Sequence, residues 1–104
     1  MIITTVDTIE DKKVVEVFGL VMGTTVRARH LGRDFMAGLR NIVGGEITEY
    51  SRLLAESREQ SLSRMTERAV ELGANAVVGL RFSTSVITGG AAEILAYGTA
   101  VKVE

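Results

Sequence analysis

The sequence predicts a single α+β domain in which one long amphipathic helix is set between valine-rich strands. Three observations carry this expectation. Tyr50, Leu54, Leu62, Met65, Ala69 and Leu72 recur at helical spacing, while Arg52, Glu56, Glu59, Arg64, Arg68 and Glu71 occupy the opposite face. Residues 12–29, dense in valine, and residues 76–84 and 93–103 read as strands. Gly73-Ala74-Asn75 joins the two patterns. Gly73 supplies a left-handed helix stop, and Asn75 tolerates turn geometry and can bond to its own backbone.

Taken in order, residues 1–6 form a short β-rich start and residues 7–11 a polar turn. Residues 12–29 read as one long strand, or as two broken near Gly23. Residues 33–43 read as a short helix, with Phe35, Leu39 and Ile42 or Val43 on one face and Gly44-Gly45 ending it. The long helix over Ile47–Leu72 spans about 38 Å. Strands 76–84 and 93–103 flank a loop containing Gly89-Gly90 and should pair as a hairpin. A right-handed strand–helix–strand crossover leaves the first two strands parallel. The last strand then fits between them. The expected subunit is β-α-β-β, with a three-stranded, mainly antiparallel sheet of order 1-3-2 and both helices on one face.

Composition narrows the function. The chain has 104 residues, room for one domain and one core. With 46% hydrophobic and 24% charged residues it is globular in balance, and its formal net charge is −1. Such a weak field predicts no nucleic-acid partner. There is no cysteine, which removes disulfides, thiolate metal sites and cysteine nucleophiles. No signal peptide is visible, and no apolar run approaches the roughly 18 residues of a membrane span. A cytoplasmic, membrane-free protein is expected. The serines lack a nucleophile-elbow pattern, and Glu56/Glu59 and Glu67/Glu71 read as a solvated helix face. The expectation is therefore a protein that is not an enzyme.

The strands do not alternate as a half-exposed sheet should. In Val17-Phe18-Gly19-Leu20-Val21-Met22 both faces are apolar or small. In the last strand Leu95, Tyr97, Val101 and Val103 take one face, and Ile94, Ala96, Gly98 and Ala100 the other. One layer of helices covers one face. The other predicts burial against another copy of the chain by closed symmetry.

The candidate site residues are polar groups beside apolar segments: Arg33, Asp34, Arg40, Arg81, Glu93 and Tyr97. On a regular strand Arg81 shares a face with Val77 and Gly79, and Glu93 is its expected carboxylate partner. These residues pair within or between subunits, or they contact a ligand. Glu46, Glu49 and Tyr50 follow Gly44-Gly45 at the start of the long helix. Free N–H groups there could hold an anion, or the two carboxylates could simply complement the helix dipole. His30 is the one histidine and has Arg27, Arg29 and Arg33 around it, which suits a surface strand end better than a metal site. As metal ligands, His30, Glu46 and Glu49 are weak candidates, and Glu93 could add oxygen for a harder cation. Met22, Met36 and Met65 read as core filling.

Several segments together resemble the YbjQ-like family of small bacterial and archaeal proteins, which carry a heavy-metal-binding label. They are Gly23-Thr24-Thr25-Val26, Arg33-Asp34, Leu39-Arg40-Asn41-Ile42-Val43-Gly44-Gly45-Glu46, Glu49-Tyr50, Gly73-Ala74-Asn75-Ala76-Val77-Val78-Gly79 and Ala96-Tyr97-Gly98-Thr99-Ala100-Val101. The resemblance runs along nearly the whole chain. It implies a dodecin-like α+β subunit and a ring-shaped homo-oligomer, a pentamer. It also implies a divalent metal ion or another small ligand held at subunit interfaces. The alternative is a non-catalytic structural or interaction module whose ring assembly is its function.

Overall fold

The computed structural model of the chain describes residues 1–27, 47–87 and 91–104. Strands β1 (Ile2–Ile3) and β2 (Val14–Arg27) precede helix α1 (Ile47–Leu72), and β3 (Ala76–Ile87) and β4 (Ala91–Val103) follow it. They form one mixed sheet in the order β1-β3-β4-β2. β4 runs antiparallel to both β2 and β3, and β1 is parallel to β3. The expected three-stranded sheet of order 1-3-2 is thus corrected to four strands. The N-terminal segment explains the addition, because its main chain satisfies the edge of β3 that would otherwise be open. The Ile2 N–H bonds to the Asn75 carbonyl at 3.2 Å and the Thr4 N–H to the Val77 carbonyl at 3.0 Å. The expected helix over residues 33–43 lies outside the described residues. Among the described residues the molecule is one helix on a four-stranded sheet, and the two-helix, dodecin-like subunit is not its description.

The strands are longer and less regular than their sequence suggests. β2 runs unbroken through Gly23, and its irregularities fall earlier, at Val15 and Phe18. Gly19 follows the second with φ at 102°. There Phe18 joins the helix side and packs against the core. β3 and β4 continue to Ile87 and from Ala91, with those two residues in register, so the hairpin connection is shorter than expected.

α1 crosses the face formed mainly by β2 and β4. Its buried stripe is Ser57, Ser61, Met65 and Ala69, at a spacing of four. Leu54, Leu62 and Leu72, expected in the core, flank this stripe half-buried. A small-residue stripe brings the helix close to the sheet. A Cβ on Gly23 would lie 2.1 Å from the Ser61 carbonyl oxygen and 2.4 Å from the Met65 nitrogen. Val21, Val77, Leu80, Ala96 and Ala100 complete the core under the helix. Complete burial of a side chain such as Met65 contributes about 2 kcal/mol.

The helix ends as the sequence predicts. Gly73 has φ at 95°. Its N–H bonds to the Val70 carbonyl, and the Ala74 N–H to the Ala69 carbonyl, both at 3.0 Å. This pair of bonds is a Schellman cap. Asn75 differs from expectation. Its side chain turns to the last strand instead of its own backbone. Its Nδ2 donates to the Val103 carbonyl at 2.9 Å, and its Oδ1 accepts from the Val103 N–H at 2.8 Å. The amide thus extends the ladder of β4 by one two-way pair.

Candidate ligand face of the sheet

The face of the sheet turned away from α1 holds the predicted residues that the structure describes in full. Its rows follow the register. Met22, Tyr97 and Arg81 lie side by side on β2, β4 and β3. The next row is Thr24, Leu95 and Ser83, and the one beyond is Val26, Glu93 and Ser85. Below Arg81 the face is covered. Ala76, Val78, Val101 and Val103 are buried there, with Ile9 of the N-terminal segment packed against them.

The rest is open. Val17 and Leu20 are each 63% exposed, Met22 53% and Val26 54%. Met22 is therefore a surface residue, not core filling, while Met65 is fully buried as expected. The difference is parity. Val21, Gly23 and Thr25 point to the helix, so Leu20, Met22 and Val26 point away from it.

Arg81 reaches this face through a bulge. The β3–β4 register shifts between Val78 and Arg81, and Gly79 there has φ at 65°. A bulge adds one residue to one strand and re-aims the side chains beyond it. Leu80 turns into the core under the helix, and Arg81 turns outward. The expectation that Arg81 shares a face with Val77 is corrected, since regular alternation does not survive Gly79. The expected Arg81–Glu93 pair is corrected as well. Glu93 stands opposite Ser85, four residues along β3 from Arg81, or about 13 Å. The Arg81 Nη1 instead donates to the carbonyls of Thr5 at 2.9 Å and Leu80 at 2.7 Å.

Of the other candidates, His30, Arg33, Asp34, Arg40 and Glu46 lie outside the described residues, as does Met36. Glu49 and Tyr50 sit in the first turn of α1, and their side chains are likewise outside the description. Among the described residues no three of His, Cys, Asp and Glu converge on a possible metal position. No described helix is long and apolar enough to cross a membrane.

Sequence reasoning missed a polar junction on the helix side. Thr25, Ser57 and Ser61 are all buried. The Ser61 hydroxyl donates to the Ile94 carbonyl at 2.9 Å, and Thr25 Oγ1 lies 2.8 Å from Ser61 Oγ and 3.1 Å from the Ser57 carbonyl. Among the described residues no buried side-chain N or O atom lacks a partner, so these hydroxyls are spent on structure. Their signal was the spacing of Ser57 and Ser61 in line with Met65 and Ala69. Elsewhere, between β1 and α1, a groove of about 540 Å³ is lined by Ile3, Leu62 and Val70 together with Ser63, Thr66 and the carboxylates of Glu59, Glu67 and Glu71.

The comparisons with known proteins agree on kinship. A family model described as "Putative heavy-metal-binding" matches residues 1–104. A UPF0145 protein of Methanosarcina acetivorans is 56% identical over 103 residues, covering 99% of this chain and 97% of its own. A UPF0145 protein of Vibrio parahaemolyticus is 54% identical over 102 residues, covering 98% and 97%. A crystal structure from Pediococcus pentosaceus, of a protein described as having unknown function and belonging to the DUF74 family, shares the fold. Its TM-score is 0.65 at 16% identity, covering 100% of this chain and 98% of that one. With a full-length model match and relatives above half identity, the chain belongs to the YbjQ-like, or UPF0145, family.

Proposed function

We propose that the chain is the subunit of a homo-oligomeric binding protein whose ligand sits at the interfaces between copies, against the open face of the sheet. The observation that carries this reading is the exposure of Val17, Leu20, Met22 and Val26 on one strand. With Leu95 and Tyr97 beside them they make an exposed apolar surface, interrupted on β2 by Thr24, of the kind that contact sites use. Shape supports the same reading. The chain measures 54 × 25 × 17 Å, and its radius of gyration is 17.0 Å against about 13 Å for a compact domain of this length.

The groove beside α1 favours a ring over a two-fold dimer. It is a second surface, on the helix layer of the molecule, where Ile3, Leu62 and Val70 are bordered by Glu59, Glu67 and Glu71, and it differs in character from the sheet face. Two unlike surfaces on one subunit suit head-to-tail association, which closes into a ring. A pentamer is the ring the family resemblance implies. The family description also suggests a metal ion as cargo. Such an ion would need ligands from more than one subunit, or from residues outside the described ones.

Light scattering, native mass spectrometry and elemental analysis of untagged protein test this together. The expected result is one assembly several times the 11.2 kDa chain mass that retains a stoichiometric ion or metabolite. A monodisperse species at the chain mass refutes the assembly. A clean oligomer that binds no tested ion or metabolite favours the alternative, a module whose assembly is its function.

A further inference from the structure

We infer that the ligand held against this face is an anion with an apolar or aromatic body, and that Arg81 is the residue that grips its carboxylate or phosphate. The inference rests on the interface reading above and names the ligand class for the same face. A guanidinium has five N–H donors in a fixed plane. In Arg81 both hydrogens of Nη1 are engaged by the carbonyls of Thr5 and Leu80, at 2.9 and 2.7 Å. These bonds fix the plane of the group. They leave Nε and Nη2, the edge that meets a carboxylate or phosphate with two parallel hydrogen bonds. That edge has no partner among the described residues.

The surroundings suit an anion and oppose a cation. In the rows of Arg81 and Ser83 no other charged side chain stands on this face. Glu93 is two rows further on. Asp7 comes within 3.6 Å of the position a Cβ would take on Gly79, yet makes no ion pair with Arg81. From Arg81 the surface runs over half-buried Tyr97 to Met22, crossing two strand spacings, or about 10 Å. That is room for an aryl group or a short aliphatic chain behind the anionic head. The Gly79 bulge is what makes the arrangement possible. Without it the same arginine would face the helix.

The test is isothermal titration calorimetry of the untagged full chain with phenyl phosphate, using benzylamine as the cationic counterpart. Phenyl phosphate should bind and benzylamine should not. Arg81→Gln should weaken phenyl phosphate binding by about tenfold or more, and Arg81→Lys, which keeps the charge but loses the two-pronged edge, should fall between. Equal affinity in wild type and Arg81→Gln, no binding of phenyl phosphate, or preference for benzylamine overturns the inference. Light scattering on the same samples separates the two readings. If the protein is monomeric but still binds phenyl phosphate through Arg81, the interface reading falls and the anion site stands. If Arg81→Gln breaks the assembly apart, the oxyanion is a carboxylate of the neighbouring copy, and the small-ligand assignment is overturned.

Discussion

Two glycines do different work in this fold. Gly79 supplies a positive φ, and the Cβ of an alanine there would meet only the edge of Asp7. Its substitution therefore costs backbone strain, not collision. Gly79→Ala should lose about 1–2 kcal/mol in urea unfolding while keeping the fold. Gly23 has ordinary φ but no space, because the helix backbone lies against it. Gly23→Ala must push α1 off the sheet, and we expect a loss of at least about 2 kcal/mol by the same measurement. If Gly23→Ala proves milder than Gly79→Ala, the helix is not seated as described. Of the two, the sequence singled out only Gly23. It marked Gly23 as a possible break in the strand, whereas the chain there is continuous and merely crowded. It held no sign of the bulge at Gly79, because a glycine in a strand does not say whether the register shifts.

At the level of elements, α1 is joined to β2 and β4 by hydroxyls as much as by hydrocarbon. Ser61 donates to the Ile94 carbonyl of β4 and accepts from Thr25, whose single hydroxyl hydrogen lies between Ser61 Oγ at 2.8 Å and the Ser57 carbonyl at 3.1 Å. Ser61→Ala and Thr25→Val should each destabilise by about 1–2 kcal/mol. Their double mutant should fall short of the sum by about 1 kcal/mol in thermal unfolding. Full additivity would mean that the two hydroxyls do not share a bond. The helix itself was legible, since its bounds and its cap follow from Ile47, Leu72 and Gly73. Its inward face was only half legible. Periodicity credits leucines, yet the fully buried stripe is Ser57, Ser61, Met65 and Ala69, and the closest backbone approach to the sheet is that of Ser61 and Met65 to Gly23. The strand–helix–strand logic gave the long strands but no place for β1. Residues 1–6 read as a β-rich start, yet a run as short as Ile2 and Ile3 does not say which edge it will pair with.

For the whole molecule, the proposed assembly through the apolar sheet face can be tested directly. Met22→Glu places a charge amid that face without touching the core beneath α1. The variant should stay folded by circular dichroism, with a melting temperature lowered only by the loss of partners. Its mass by light scattering should fall toward 11.2 kDa. An unchanged assembly would move the interface elsewhere. That the face is apolar was readable from Leu20, Met22 and Leu95 alone. That Arg81 stands on this face two rows away from Glu93 was not, because it depends on a register shift in β3 itself.

β2 adds a consequence of another kind. It is an edge strand, and from Val17 to Val26 it carries no charged residue and no proline. Bulges and glycines near Gly19 blunt its first half, but the stretch beyond is flat and sticky, the sort of segment that templates cross-β growth. In the assembly proposed above, docking through the sheet face would compete with fibril seeding by this strand. Conditions that part such an assembly while leaving the strand uncovered should therefore raise thioflavin-positive fibril growth.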